Sequence, residues 1–159
     1  PELVKRKLPF YAINLPFQWL DIGNLQDVWT ATSKTLNGEV AGFKLPGKEL
    51  RPGVYAGINV NIDFDKVNIV PRVYIGGSSI IEAGATIKGP AVIGANCIVE
   101  SGAVIEHCIV EDYTRLSSQA RLREKIIFGS KCIDPILEIQ ADITEGRLEY
   151  MIEDARKLM

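Results

Sequence analysis

The chain has 159 residues, 47% of them apolar and 24% charged, which fits one globular domain or a small domain with an appendage. Its 18 Lys and Arg against 20 Asp and Glu leave a net charge of −2, which argues against nucleic-acid binding driven by phosphate contacts. No apolar run reaches the length of a membrane span and no signal-peptide pattern opens the chain, so no membrane partner is expected.

Residues 1–42 differ in kind from the rest of the chain. The stretch "LPFYAINL" alternates weakly and predicts a strand. "FQWLDIGNLQDVWTATSKTLNG" predicts strand, turn and helix. Asn24 is a suitable N-cap with Asp27 at the capping-box position. Leu25, Val28, Trp29, Thr32 and Leu36 share one helical face, and Gly38 ends the helix. These elements are too few to build a core of their own. Together with a first residue that is Pro and not Met, they predict a cut or processed chain. Residues 43–68, with "KLPGKELRPGVYAG", are rich in Gly and Pro and read as a connector.

A six-residue period governs residues 69–133. Ile69, Ile75, Ile81, Ile87, Ile93, Val99 and Ile105 occupy one position of the unit. Val73, Ser79, Ala85, Ala91, Cys97, Ala103 and Ile109 occupy the fifth, mostly with small residues. Six residues make one short strand and one tight bend. The branched aliphatic points inward onto its neighbour in the next coil, and the small residue fits beside the corner. This predicts a mainly β protein, a parallel β-helix whose coils bury one another. The beat slips by one residue near His107–Cys108. It then continues on Val110, Leu116, Leu122 and Phe128, with Thr114, Ala120, Ile126 and Cys132 in the fifth position. Asp134–Pro135 stops the strand pattern.

Residues 134–159 should cap the solenoid with a strand and a helix. Asp142 and Glu145 fit a capping box, and Leu148, Met151, Ile152, Ala155 and Leu158 or Met159 form an apolar stripe at helical spacing.

Through "PFYAINLPFQWLDIGNLQDVWTA" and the hexads after it, the chain resembles the C-terminal part of the sugar-1-phosphate nucleotidyltransferases, or NDP-sugar pyrophosphorylases. These include mannose-1-phosphate guanylyltransferase and the glucose-1-phosphate nucleotidyltransferases. In that family an aromatic strand leads to "W-x-D-[IVT]-G", a helix, and in many members a left-handed β-helix of hexapeptide repeats. The resemblance implies that residues 1–42 are the tail of a catalytic α/β nucleotidyltransferase domain. It also implies the left hand of the coil, since the crossover rule alone favours the right. The implied reaction joins a nucleoside triphosphate and a sugar 1-phosphate into an NDP-sugar and pyrophosphate. By the same resemblance Asp21, from "WLDIG", is a Mg²⁺ ligand in the intact enzyme. The family's "G-x-G-T-R-L" loop and its downstream Lys are absent from the chain, so no turnover is expected from this fragment and no catalytic residue is assigned within it.

The β-helix would then serve oligomerisation or regulation, in a homo-oligomer. Arg115, Arg121, Arg123 and Lys125 are candidates for an anionic effector, or form a solvated face balanced by Glu111, Asp112 and Glu124. His107, the one histidine, is a candidate acyl-transfer base or an outward bend residue. Three cysteines without framework spacing predict reduced thiols in a cytoplasmic protein, with Cys97 and Cys132 in the core. Two alternatives stay open, a coenzyme A-dependent hexapeptide acyltransferase and a non-catalytic assembly subunit related to the pyrophosphorylases.

Overall fold

The computed structural model describes residues 2–158 apart from Leu8 and Phe10, and the side chains of Lys157 and Leu158 are outside the description. A short helix α1 (Glu2–Lys5) precedes helix α2 (Leu25–Leu36). Strand β1 (Lys48–Arg51) then leads into the solenoid. Its first coil is β2 (Val54–Ala56), β3 (Asn61–Ile62) and β4 (Asn68–Val70). The second is β5 (Val73–Ile75), β6 (Ile80–Ile81) and β7 (Thr86–Lys88). The third is β8 (Ala91–Ile93), β9 (Ile98–Val99) and β10 (Val104–Glu106). The fourth is β11 (Ile109–Val110), β12 (Thr114–Leu116) and β13 (Arg121–Arg123). Strands β14 (Ile126–Phe128), β15 (Lys131–Asp134), β16 (Ile139–Asp142) and β17 (Ile152–Asp154) finish the chain.

The coils stack into three faces. The first runs β1-β2-β5-β8-β11-β14-β15-β16, the second β17-β12-β9-β6-β3, the third β13-β10-β7-β4. Inside, register alone produces columns of like residues. Ala56, Ile75, Ile93, Val110 and Ile127 align on the first face. Ile81, Val99 and Leu116 align on the second, and Ile87, Ile105 and Leu122 on the third. All are buried. The fifth position supplies the small residues between them, Ala85, Ala103 and Ala120 among them, also buried. Thr114 and Ser79 are the polar exceptions, Ser79 the more fully enclosed. Ser79 Oγ donates to Gly94 O at 2.8 Å and accepts from Cys97 N at 3.0 Å, so burial leaves no polar atom unpaired there.

The slip in the period is visible in the ladder. Ile75 pairs with Ile93, a spacing of 18 residues, or three hexads. From Ile93 the partner is Val110, a spacing of 17. The lost residue falls at the corner holding His107, which turns with φ 51°.

Four departures from the sequence reading have physical causes. The parallel ladder begins at Val54, so residues 54–68 form a coil and not a loose connector. Its Gly and Pro residues build corners. Secondly, the deletion at the third corner occurs twice. Glu124, with φ 52°, repeats the turn of His107 one coil later. Ile127 therefore takes the inward place that the hexad assigned to Phe128, and Phe128 is 61% exposed.

Thirdly, the C-terminal α-helix is replaced. Residues 152–154 form β17, antiparallel to β12, and the helical content is two 3-10 turns, Leu148–Tyr150 and Ala155–Leu158. The exposed edge of β12 offers backbone partners that an isolated turn of helix cannot match. Asp142 caps no helix; its carboxylate accepts from Thr144 N at 3.0 Å and Thr144 Oγ1 at 2.8 Å. Met159, the last member of the apolar stripe, lies outside the described residues.

Fourthly, residues 11–23 form no regular structure, so the strand expected in "LPFYAINL" is not formed there. A strand needs a neighbour for its backbone groups, and among the described residues no strand pairs with this segment. Leu8 and Phe10 of that stretch are outside the described residues.

Candidate functional site

The helix predicted after "WLDIG" forms as read. Asn24 is extended (φ −149°) and its Oδ1 accepts from Asp27 N at 2.9 Å. Asp27 reaches back one residue further than a capping box requires, its Oδ2 accepting from Gly23 N at 3.1 Å. The helix lies over the outer side of the first face. There the outward residues are Tyr55, Tyr74, Val92 and Ile109, in register and all half-buried. Ala31 and Leu36 are buried against this apolar column. Two hydrogen bonds fix the helix to solenoid corners. Trp29 Nε1 donates to His107 O at 3.2 Å, and Arg72 Nη1 donates to Asn37 O at 2.9 Å. An apolar cleft of about 310 Å³ remains between helix and solenoid, lined by Val28, Leu36, Phe43, Tyr74 and Val92. A second of about 700 Å³ adjoins it, with Lys44, Glu49, Tyr55 and Arg72 on its walls.

Asp21 sits just before this helix, exposed, in the irregular segment. Around it the large apolar side chains point to solvent: Tyr11 is 88% exposed, Ile13 77% and Trp19 73%. Among the described residues no group of three or more His, Cys, Asp or Glu side chains is placed to hold a metal ion. One carboxylate is not a Mg²⁺ site, because that ion is held by more than one oxygen donor and its waters. The residues present therefore do not fit a complete Mg²⁺ centre.

The basic residues are dispersed. Arg115 lies on the second face, where its Nε donates to Glu100 Oε1 at 2.7 Å and its Nη1 to Glu153 Oε2 at 3.2 Å. Arg121 and Arg123 lie on the third face. Arg121 Nη1 donates to the carbonyls of Ser118 and Ala120, and Arg123 Nε is 3.6 Å from Glu124. Lys125 turns toward Asp134 at 2.9 Å. Glu111 and Asp112, read as balancing charges, are spent on the backbone. Glu111 accepts from Gly129 N, and Asp112 from Ala95 N at 2.7 Å. Arg115 with Glu100, Glu111 with Gly129 and Asp112 with Ala95 join neighbouring coils, so the sequence carried no signal for these three pairs.

His107 is a bend residue. Its imidazole is 3.9 Å from Glu124 and its carbonyl holds Trp29. The three cysteines are buried and free. Burial pushes the thiols of Cys97 and Cys108 up to about 11, and raises Cys132 as well. Cys108, at the slip, is as fully enclosed as Cys97.

The family of bacterial transferase hexapeptide repeats (six repeats) matches residues 72–107. Over 156 residues the chain is 43% identical to a UTP–glucose-1-phosphate uridylyltransferase of Synechocystis sp.. This chain is homologous to part of a sugar-1-phosphate nucleotidyltransferase. The identity covers 98% of the chain, so it takes in the segment before the solenoid as well as the coils. It covers 40% of that relative, so the chain spans well under half the length of the uridylyltransferase. No helix among the described residues is long and apolar enough to cross a membrane.

Proposed function

We propose that this chain is the C-terminal part of a sugar-1-phosphate nucleotidyltransferase, a cytoplasmic homo-oligomer whose β-helix serves assembly or regulation. The observation that carries the reading is the 43% identity over nearly the whole chain. In the reaction a phosphate oxygen of the sugar 1-phosphate bonds to the α-phosphorus of the nucleoside triphosphate. The bond from that phosphorus to the bridging oxygen breaks, and pyrophosphate leaves with its electrons. The coil is left-handed in this reading, and residues 1–42 are the tail of the catalytic α/β domain. The exposed Tyr11, Ile13, Leu15, Phe17 and Trp19 support that assignment, because such a run would gain a covering surface from the remainder of a domain. The intact enzyme uses Mg²⁺, and Asp21 supplies one carboxylate while the other donors come from outside this chain.

The test is pyrophosphate release by the polypeptide isolated from its own cells. UTP with glucose 1-phosphate is the first pair, given the relative's name, followed by other nucleotides and sugar 1-phosphates. Release with one pair supports the reading. No release with any pair, from a folded polypeptide, would overturn it. Asp21→Asn should lower kcat and raise the Mg²⁺ concentration needed for half-maximal rate. An unchanged Mg²⁺ dependence would remove Asp21 from the site.

A further inference from the structure

Residues 11–23 form no regular structure, yet the stretch leading into helix α2 is held at two points. The first is Gln18. Its Nε2 donates to Glu39 O at 2.8 Å, and its Oε1 accepts from Ala41 N at 2.9 Å. Both ends of one amide meet the same piece of backbone, which fixes the direction of the side chain as well as its place. The loop that Gln18 grips is itself tied down. Gly38 N donates to Thr35 O at 3.0 Å and Glu39 N to Lys34 O at 2.9 Å, so residues 38 and 39 close the last turn of α2. Asn37 O accepts from Arg72 Nη1, which roots that turn in the solenoid. The second point is Gly23, whose N–H donates to Asp27 Oδ2 in the first turn of α2. Trp29 roots that half of the helix through His107 O. Between the two points lie Trp19, Leu20, Asp21 and Ile22. Leu20 is half-buried, and Trp19 and Asp21 are exposed.

We infer that Gln18 is a positioning residue, which holds the stretch carrying Asp21 in a fixed place on helix α2 and, through α2, on the solenoid. Gly23 anchors that stretch on one side only, and a single anchor leaves the chain free to swing about the start of the helix. A second anchor five residues earlier removes that freedom. Among the described residues, Gln18 carries the hydrogen bonds that tie residues 11–22 to the body of the chain. A segment with so few bonds opens locally when they are lost, while the solenoid and its buried columns stay folded. A reacting group on such a segment must be held within about 0.5 Å of its productive place, and a misplacement of about 1 Å can lower a rate about 100-fold. The coils thus bear on the reaction through a defined path, from Arg72 to the end of α2, from there to Gln18, and from Gln18 to the residues beside Asp21.

This deepens the proposed function and rests on its assignment of Asp21 to the reaction. The test uses the whole polypeptide and two readouts, amide hydrogen exchange and pyrophosphate release. Gln18→Met keeps the length of the side chain and removes both hydrogen bonds. Gln18→Glu keeps an acceptor for Ala41 N and loses the donor to Glu39 O. Gln119→Met, an exposed glutamine at a solenoid corner, is the control. In Gln18→Met the Ala41 amide should exchange at least about 5-fold faster, as loss of one net hydrogen bond implies. In Gln18→Glu that amide should stay closer to the wild type. Gln18→Met should lower kcat at least about 10-fold and leave KM within about twofold, with Gln18→Glu between it and the wild type. Gln119→Met should change neither readout. An Ala41 amide that exchanges equally in wild type and Gln18→Met would overturn the clamp. Faster exchange with kcat unchanged, or a loss carried by KM alone, would overturn the positioning role. A wild type that releases no pyrophosphate overturns the proposed function and the role of Gln18 in the reaction together, whereas the exchange rates decide the clamp without any turnover. If Gln18→Met does not fold, Gln18→Glu decides: an unchanged kcat together with unchanged exchange at residues 18–23 would overturn the inference, and a fall in the one with a rise in the other upholds it.

Discussion

Gly76 is the sharpest test of how closely the coils are stacked. It follows β5 at a corner, and its N–H donates to Ile93 O of the next coil at 2.7 Å. A Cβ placed on Gly76 would stand 2.4 Å from Ala95 N, 2.4 Å from Gly94 C and 2.7 Å from Ala95 Cα. All three are backbone atoms, so no side chain can swing away. Its φ lies outside the left-handed region, so alanine is refused by contact and not by dihedral preference. The corner must open by roughly an ångström. Overpacking of this kind costs about 1–3 kcal/mol, and stretching the Gly76–Ile93 hydrogen bond adds about 1 kcal/mol. Gly76→Ala should therefore lose about 2–4 kcal/mol. At about 2–4 °C per kcal/mol for a domain of this size, Tm falls by roughly 5–15 °C. Gly23→Ala is the control, since its nearest contact would be 3.7 Å, with Asp27 Oδ2. Both variants are followed by circular dichroism during heating and in urea. If Gly76→Ala melts within about 2 °C of the wild type, the coils are not stacked this closely.

Other substitutions probe the interior and the charge pairs. Ile105→Ala leaves a hole between Ile87 and Leu122 in the third-face column, and should cost about 2–5 kcal/mol in denaturant unfolding. The three thiols should react with a disulfide reagent at pH 8 only as fast as the fold opens, because burial keeps them protonated and enclosed; a fast-reacting thiol in the native protein would contradict the placement of its side chain. Hydrogen bonds from Thr144 N and Oγ1, helped by Lys131, hold Asp142 down at about 2. The unfolded value is about 3.9, so the stabilisation is complete above that value and is lost as pH falls through 2. The stability gap between wild type and Asp142→Asn should be constant above about pH 5 and shrink toward pH 2; a gap independent of pH would refute the assignment.

The period of six made the solenoid legible, because one inward aliphatic per strand is a repeat that neither a helix nor a half-buried strand can imitate. Its start was harder to see. Asn61 pairs with Ile80 at a spacing of 19, but Asn68 pairs with Thr86 at 18, so an extra residue between Ile62 and Asn68 throws the first coil out of phase. Near the other end, Ile126, Ile127 and Phe128 are consecutive apolar residues, and such a run does not say which one faces inward. The stripe from Leu148 to Ala155 satisfies helical spacing, yet β17 forms because the edge of β12 lies within reach. Helix α2 was readable to its N-cap, since capping is a local matter. The apolar column of Tyr55, Tyr74, Val92 and Ile109 beneath it was not, because outward register appears only when coils are stacked. Asp21 is legible by resemblance alone, as no described group of side chains around it completes a metal site.

The most direct test compares pyrophosphate release by the whole polypeptide from its native cells with release by residues 1–159, under the same UTP, glucose 1-phosphate and Mg²⁺. A scaffold role for the coils predicts turnover by the whole polypeptide and none by residues 1–159. Turnover by residues 1–159 would place the chemistry on the solenoid itself, and would contradict that role.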